Sequence, residues 1–369
     1  MFYSYNPVKI IHGSDAICKV TNEIRDYSNI TLIFSQSFKN NVKAFYTLQE
    51  SLKNKKIQPI QINKGEPTNL SVSNIVNKIC PKTDFILGVG GGSILDITKA
   101  IAFCHGNKID PIELEKYNLN TFHKSTKFGL ICTRPGSGSE GNNAFILTNS
   151  VNKIKNSFFS QNSFPLFSIH DPSLYESLSI TDYNFGLLDT LAHIIDQYLI
   201  SRPKSIIQDH LATSYFELGV KMASRQQFKS QEAFMNLAWF GSLVSSGILS
   251  RGVKTNWLIH ELAHSLGAAV NIPHTHAIRT ILCSIIDLDC FPLDKATNLG
   301  ELIKKTKIRQ ISPTNRRRIL RLFFEKTFIK PSFNKATKDK IQMWGKSNFQ
   351  QPIFSKKNKL LLIQRLKII

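Results

Sequence analysis

The sequence lacks the features that mark secreted, membrane-spanning and disulfide-built proteins. Residues 1–13 hold no basic stretch followed by an apolar one, so no secretory signal is recognised. No uncharged apolar run approaches the roughly 18 residues that a membrane-spanning helix requires. The six cysteines form no CxxC pair and are predicted to be small apolar residues in a reducing compartment. Together these absences predict a cytoplasmic protein without a membrane partner.

Acidic residues are scarce, with 26 against 47 lysines and arginines and a formal net charge of +21. The imbalance is concentrated in residues 301–369, which hold 19 basic residues and three acids. Such a run either forms a solvated helical surface or attracts an anionic partner. No zinc-finger or RNP-type pattern accompanies it, which argues against nucleic acid and favours the solvated surface.

Charged residues make up only 20% of the 369 residues and hydrophobic residues 42%, which excludes a disordered chain. This length predicts two domains of ordinary size. The first half alternates strands with helices, and from about Asp182 apolar residues recur almost only at helical spacing. The sequence therefore predicts an α/β domain over 1–181, with a parallel sheet covered by helices, and an all-helical domain over 182–369. The predicted strands are 30–34, 59–62, 84–89 and 128–132, and the predicted helices are 41–52, 70–80, 94–104, 185–200, 208–224, 234–250 and 257–269.

A glycine-rich turn follows the predicted strand 84–89. It reads Gly90-Gly91-Gly92-Ser93 and opens the next helix. Glycines let the backbone approach a phosphate group closely, and the free N–H groups of the helix start favour its charge. The same residues also suit a plain tight turn, since a glycine turn alone is weak evidence of a nucleotide.

A second glycine- and hydroxyl-rich segment, 133–140, follows the predicted strand 128–132. Ligands of open α/β sheets bind at the carboxyl ends of strands, so this segment could line a cofactor cleft. An ordinary surface loop explains it equally well.

Histidines and one aspartate are spaced as metal ligands in the second half. Asp189 and His193 lie four residues apart, so they share one face of a helix, where they either bind a metal or hydrogen-bond to each other. His260 and His264 are likewise one turn apart, and His274 follows the break Asn271-Ile272-Pro273. Three histidines within 15 residues, near a second Asp/His pair, indicate a metal site.

The segment HELAH, residues 260–264, also fits the HExxH motif of zinc proteases. Under that alternative His260, His264 and His274 bind zinc, and Glu261 activates water. The alternative leaves the glycine-rich turn and the Asp189/His193 pair without a role.

Taken in order, these segments resemble the iron-containing, or group III, alcohol dehydrogenases, over roughly residues 5–290. The resemblance implies a dinucleotide-binding α/β domain followed by an all-α domain, the dehydroquinate synthase-like architecture. Residues 139–142 and 189–198, with Asn256-Trp257, look most like the butanol dehydrogenase and aldehyde reductase branch, which usually uses NADPH. The motifs that carry the resemblance are Gly90 to Ser93 with Asp96 and Lys99, the segment 136–140, Asp171-Pro172, Asp189 to His193 and His260 to His274.

The resemblance implies an NAD(H)- or NADP(H)-dependent enzyme that transfers hydride between the cofactor and a small alcohol or aldehyde, assembled as a homodimer or larger homo-oligomer. One divalent ion, Fe²⁺ or Zn²⁺, polarises the substrate oxygen beside the nicotinamide. His264 lies by the nicotinamide and can relay the alcohol proton, while Glu261 has no part. The implied metal ligands are Asp189, His193, His260 and His274, and the implied cofactor contacts are Gly90, Gly91, Gly92, Ser93, Asp96, Thr133 and Lys155.

Three departures from the family pattern bear on specificity. In place of a glycine-rich loop that receives the 2′-phosphate, residues 34–39 offer Ser37 and Lys39 and no repelling aspartate, which favours NADP. Arg134 replaces a smaller residue and would contact an anionic substrate or the cofactor phosphates. Thr275 stands in place of a glycine, and His276 beside it is a candidate substitute ligand or substrate contact. A family member with a biosynthetic or non-catalytic role is the remaining alternative.

Overall fold

The computed structural model describes residues 2–63, 67–199, 205–224, 230–288, 291, 293–305, 316–348 and 355–368. The chain forms two compact units. The first consists of residues 5–183 and 227–246, and the second of residues 1–4, 184–226 and 247–369. The segment 227–246 follows the expected domain boundary at residue 181 and yet is part of the first unit.

The first unit is built on a six-stranded sheet in which every pair of neighbours is parallel. Its order is β1-β8-β5-β4-β2-β3, and β6 and β7 form a separate antiparallel hairpin. This sheet and the helices after it confirm the predicted α/β class. The strands are β1 Lys9–His12, β2 Asn29–Ser35, β3 Lys56–Ile62, β4 Phe85–Gly91, β5 Lys127–Arg134, β6 Ala144–Thr148, β7 Lys155–Phe159 and β8 Phe167–His170.

Helices of the first half connect the strands of this sheet. The longest of them, α5, directly follows β4, and its apolar side chains form the core together with those of the sheet. At Gly88 the absence of a side chain lets Thr98 of α5 pack directly against the strand, because an added Cβ would overlap it. These helices are α1 Val20–Glu23, α2 Gln36–Asn40, α3 Val42–Leu52, α4 Asn69–Val76 and α5 Gly92–Asn107.

The described part of the second half is mainly helical, as predicted. Helix α8 belongs to the first unit, and the helices entirely within 184–226 and 247–369 belong to the second. The helices are α6 Ile180–Leu199, α7 Ile206–Ser224, α8 Gln231–Ser245, α9 Leu258–Val270, α10 His274–Ile285, α11 Leu293–Lys305, α12 Arg316–Thr327, α13 Lys335–Asn348 and α14 Lys356–Ile368.

The order in which the chain adds strands to the sheet changes direction between β2 and β4. From β2 the chain moves outward to β3, and from β4 it moves the opposite way to β5. The carboxyl ends of β2 and β4 therefore flank a topological switch point, where open α/β sheets bind ligands. The glycine-rich turn and α2 follow these two strands.

Periodicity did not predict four short strands, and it gave no bounds for the helices after residue 269. β1, β6, β7 and β8 have only four or five residues each, too few for a pattern of alternation to stand out. The predicted helix 70–80 ends at Val76, and the predicted helix 234–250 ends at Ser245, after which Gly247 adopts a φ of 83°. Residue 200, the last of the predicted helix 185–200, lies outside the described residues.

One described segment, Gln231–Ser250, is long and apolar enough to cross a membrane by length and composition, with half of the window buried inside the protein. In this fold its main part, α8, packs within the first unit, and Ser242 hydrogen-bonds to the buried Glu140. These contacts are those of a core helix.

The cysteines only partly match the prediction of small interior residues. Cys104 and Cys132 are buried and Cys283 is half-buried, all three as free thiols. Cys18 and Cys80 are exposed, which corrects the prediction for these two positions. Cys290 lies outside the described residues.

Candidate active site

Four side chains of the second unit converge where the sequence predicts a metal site. Helix α6 presents Asp189 and His193 one turn apart, and α9 contributes His260. One donor atom from each of these three residues lies within 4.8 Å of the others. His274, the first residue of α10, completes the group, because its Nε2 lies 3.4 Å from Asp189 Oδ1.

Buried donor atoms without partners show that the group fits a cation. Asp189 Oδ1, His193 Nδ1 and His260 Nε2 are buried, and none of them has a hydrogen-bond partner among the described residues. His260 Nε2 lies 3.4 Å from Asp189 Oδ1, and the rings of His193 and His260 stack with centroids 4.2 Å apart. Unpaired polar atoms that face one another in the interior are costly unless an ion lies between them.

The charges within the group depend on one another. Burial alone would raise the pKa of Asp189, but His193, His260 and His274 hold it well below its usual range. Burial lowers the pKa of His193 to about 3. Burial opposes the charge of His260 as well, but the nearby carboxylates of Asp189 and Asp196 outweigh burial and raise its pKa to about 9. A cation that takes the place of this proton would find a carboxylate and three imidazoles as ligands.

A further residue, which sequence reasoning missed, orients one of these ligands. The carboxylate of Asp196 accepts a hydrogen bond from His260 Nδ1 at 2.6 Å, which leaves Nε2 facing the other ligands. It also accepts the backbone N–H groups of Ile259 and His260 at 2.9 and 3.1 Å. Because α9 has no side-chain cap at Trp257, Asp196 caps this helix from α6. Its position seven residues after Asp189, on the same helix face, is the signal that could have identified it.

Aromatic and histidine rings surround the group. The ring of Trp257 lies 5.8 Å from that of His193, and the ring of His264 lies 4.9 Å from that of His274. His264 is buried and stands one turn along α9 from His260. His276 packs its ring against Phe185 and Phe333, at 5.4 and 6.2 Å.

Glu261 does not share the surroundings of its neighbours. Its side chain is exposed, whereas His260 and His264 on either side are buried. In the protease alternative Glu261 would have to face the metal together with both histidines. Its exposure in this fold does not favour that role.

The predicted phosphate-binding turn lies at the carboxyl end of β4. Gly91 is the N-cap of α5 and, as a glycine, brings no side chain to the first N–H groups of the helix. Ser93 is exposed, and Gly91 and Gly92 are half-buried. An added Cβ at Gly92 would lie 2.9 Å from Ser137 Oγ, which places the segment 133–140 directly beside the turn.

Some of the other predicted cofactor contacts lie at the carboxyl ends of neighbouring strands, and the others lie elsewhere in the first unit. Ser37 and Lys39 are exposed on α2, directly after β2, and Thr133 is near the end of β5. Lys155 begins β7 in the separate hairpin. Asp96 is engaged within the protein, since its carboxylate accepts Ser139 Oγ at 2.6 Å and the N–H of Ile146 at 3.2 Å.

Arg134 stands beside the glycine-rich turn. An added Cβ at Gly91 would lie 3.2 Å from Arg134 Cβ, so the two residues are in contact range. The guanidinium forms an ion pair with Asp182 at 3.1 Å and remains more than half exposed. It therefore keeps exposed N–H groups next to the turn.

Two protein-family models match this chain, one over most of the α/β half and the other over much of the helical half. The model of "Iron-containing alcohol dehydrogenase" matches residues 7–172, and that of "Fe-containing alcohol dehydrogenase family, C-terminal" matches residues 185–312. The fold, with a metal-ligand group in its helical part, is that of a metal-dependent oxidoreductase with a dinucleotide-binding sheet. The chain belongs to the iron-containing alcohol dehydrogenase family.

Individual proteins of similar sequence are named as alcohol dehydrogenases and aldehyde reductases. The chain is 29% identical to the probable NADH-dependent butanol dehydrogenase 1 of Bacillus subtilis (strain 168), over 74% of this chain and 72% of the relative. It is 24% identical to the NADPH-dependent aldehyde reductase YqhD of Escherichia coli (strain K12), over 76% and 74%. These findings confirm the predicted class of alcohol and aldehyde oxidoreductase with a nicotinamide cofactor and a metal, and none of them supports the protease alternative.

Solved structures share the fold. The crystal structure of YqhD from E. coli K-12 aligns with a TM-score of 0.81 at 21% identity, covering 100% of this chain and 98% of that one. The NADH-dependent butanol dehydrogenase A of Thermotoga maritima aligns with a TM-score of 0.80 at 22% identity, covering 99% and 98%.

Proposed function

We propose that this chain reduces small aldehydes to alcohols with a nicotinamide cofactor, NADPH in preference to NADH, and with one divalent metal ion. The observation that carries the proposal is the convergence of three buried donor atoms from Asp189, His193 and His260, with His274 next to them. None of the three atoms has a hydrogen-bond partner among the described residues. When bound, the metal supplies a Lewis acid that polarises the carbonyl oxygen, and the cofactor supplies the hydride.

The chain's own residues hold and surround these groups. Asp189 supplies the one negative charge of the ligand set, and Asp196 keeps the ring of His260 in place through Nδ1. In the proposal, His264 passes a proton from its ring nitrogen to the product oxygen. The turn 90–93 and the start of α5 bind the cofactor pyrophosphate through backbone N–H groups. A homodimer or larger homo-oligomer is part of the same proposal.

Metal removal tests the proposed function. The purified protein, loaded with Fe²⁺ or Zn²⁺, is expected to oxidise NADPH in the presence of butanal. Dialysis against a chelator should abolish the reaction, and readdition of either ion should restore it. The reason is that the Lewis acid lowers the activation barrier by several kcal/mol. NADPH consumption measured by absorbance, with metal content from mass spectrometry, gives both quantities. A metal-free protein that still reduces butanal at the full rate would overturn the proposal.

The preference between cofactors is expected to depend on Lys39. This exposed side chain on α2 follows the end of β2, at the switch point of the sheet. A hydrogen bond to a charged group contributes roughly 1.5–3 kcal/mol, so Lys39→Ala should raise the KM for NADPH about tenfold or more. The KM for NADH, which lacks the 2′-phosphate, should not change. Steady-state kinetics with both cofactors measure this difference.

Lys43→Ala is the matched control, since Lys43 is an exposed lysine of the neighbouring helix α3 and pairs with Glu176 at 3.6 Å. It should leave both Michaelis constants unchanged. An equal rise for NADPH and NADH in Lys39→Ala would exclude a contact with the 2′-phosphate.

A further inference from the structure

A second group of metal-binding side chains lies within the first unit. Cys132 on β5, Glu140 in the turn 139–141 and His170 at the end of β8 each offer one donor atom, and these atoms lie within 4.8 Å of one another. All three side chains are fully buried. Two are on the neighbouring parallel strands β5 and β8, and the third comes from the turn after β5.

Glu140 has an acceptor atom that no described residue satisfies. Its Oε1 accepts a hydrogen bond from Ser242 Oγ at 2.7 Å, whereas Oε2 has no partner among the described residues. The buried Lys99 does not provide one, because its ammonium group donates to three acceptors in the segment 139–144. A buried carboxylate oxygen without a donor is costly, and a cation would remove that cost.

His170 is oriented as metal-binding imidazoles usually are. Its Nδ1 lies 2.9 Å from the hydroxyl of Tyr175, which holds the ring from behind. The opposite nitrogen, Nε2, faces the group and lies 3.6 Å from Glu140 Oε1 and 3.3 Å from Ser242 Oγ. The ring therefore presents one nitrogen toward the carboxylate of Glu140, with Cys132 Sγ within 4.8 Å of the group. The Cys132 thiol donates to the carbonyl oxygen of Arg134 at 3.4 Å.

The turn that carries Glu140 is held firmly in place. Gly138, before the turn, has a φ of 63°, and an added Cβ there would overlap Ser245 of α8. Ser245 Oγ also donates to the carbonyl oxygen of Ser137 at 3.0 Å. Because α8 packs against the turn in this way, Glu140 cannot swing out to solvent without displacing the turn.

We propose that Cys132, Glu140 and His170 form a second metal site, with a structural role, for a divalent cation of the zinc class. Thiolate, imidazole and carboxylate are the donors of Zn²⁺, at distances of about 2.0–2.3 Å. The thiolate and the carboxylate carry two negative charges, so the bound cation leaves the buried site neutral. The thiol proton is released on binding, and the Ser242 hydroxyl oxygen supplies a fourth ligand.

The depth of the site determines when the ion binds. With all three ligands fully buried, the ion enters as the unit folds and afterwards links β5, β8 and the turn 139–141. This role is separate from hydride transfer, which needs only the group around Asp189 and the cofactor.

Cobalt spectroscopy distinguishes the two groups, because only the second contains a sulfur donor. The wild-type protein, unfolded with chelator and refolded with Co²⁺, should show a thiolate-to-cobalt charge-transfer band in the near ultraviolet. Cys132→Ser should lose this band, whereas Asp189→Asn should keep it. Cys104→Ser, which alters another fully buried cysteine, is the matched control and should keep the band. A wild-type spectrum without the band would overturn the proposal whether or not the variants fold.

Zinc content gives a second, independent result. After refolding with Zn²⁺ and removal of excess ion, the wild-type protein should hold two ions per chain. Cys132→Ser and Asp189→Asn should each hold one, and the double variant should hold none. A wild-type protein with a single ion that Asp189→Asn loses entirely would show that Cys132, Glu140 and His170 form only a hydrogen-bonded group. That outcome leaves the proposed dehydrogenase function intact.

Discussion

Asp189→Asn should lower the rate of aldehyde reduction by about three orders of magnitude or more and remove the metal ion on which that rate depends. Asp189 Oδ1 lies 3.4 Å from the Nε2 atoms of both His260 and His274 and is the one anionic donor of the group. The neighbouring imidazoles hold its pKa well below the usual range, so the carboxylate is charged at neutral pH. Asparagine keeps the size of the side chain but removes the charge that attracts the cation.

The expected magnitude follows from the part that the metal plays. A Lewis acid contributes several kcal/mol to the stabilisation of charge on the substrate oxygen, and each 1.4 kcal/mol or so is a factor of ten in rate. Stopped-flow measurement of NADPH oxidation, with metal analysis of the same sample, tests both parts of the prediction. A variant that keeps its metal and its rate would exclude Asp189 as a ligand.

Glu261→Gln is the control for this experiment. It removes a negative charge one residue from His260, but on a side chain that is exposed. Metal content and rate should therefore remain those of the wild type. Loss of activity in Glu261→Gln, together with a peptidase activity in the wild type, would favour the HExxH alternative instead.

Asp196→Asn should weaken metal binding by about 10- to 100-fold, the usual effect of losing the partner of a metal-binding histidine. Asp196 accepts three hydrogen bonds, from His260 Nδ1 and from the N–H groups of Ile259 and His260. An asparagine has one acceptor oxygen, so it cannot serve both the ring and the two N–H groups. The ring of His260 then loses its fixed orientation, and the first turn of α9 loses part of its cap.

The result should differ in kind from that of Asp189→Asn. Activity lost at limiting metal should largely return at saturating metal, because Asp196 acts through His260 and does not touch the ion. A titration of activity against free Zn²⁺ or Fe²⁺ separates the two variants. Asp209→Asn, a half-exposed aspartate of α7 that pairs with Lys295 at 3.2 Å, is a control for the loss of a paired carboxylate. An Asp196→Asn variant that stays inactive at every metal concentration would contradict a purely positioning role.

The residues of the candidate metal site could be named from the sequence with the help of the family resemblance, and the predicted ligands and cofactor contacts remain predictions. Spacing of four residues places Asp189 with His193 on one helix face whatever surrounds the helix, because helical geometry is local. The glycine-rich turn after a buried strand was equally visible. Asp96 remains a predicted cofactor contact, and its carboxylate accepts hydrogen bonds from Ser139 and Ile146 that the sequence did not indicate. Which side chains lie across from an aspartate depends on segments 40 to 50 residues further along the chain.

In the fold, too, some elements could be predicted from local sequence and others depend on distant segments. Strands β2, β4 and β5 were predicted because buried central strands form continuous apolar runs. β1 and β8 were not, since they are short and are defined by their pairing with each other, more than 150 residues apart in sequence. Helix α8 was predicted as a helix, but its membership of the first unit depends on contacts such as that between Ser242 and Glu140.

The sequence by itself determined the class of protein, the division into an α/β half and a helical half, and, through the family resemblance, four residues with the chemistry of metal ligands. These properties follow from local periodicity and from motifs whose residues are close together in the chain. Only the tertiary structure decided that Asp196 orients His260, that Glu261 is exposed, and that Cys132, Glu140 and His170 converge within 4.8 Å. Each of these depends on which distant segments pack together. The geometry of one helix follows from a short stretch of residues, whereas the packing of a core depends on many segments at once.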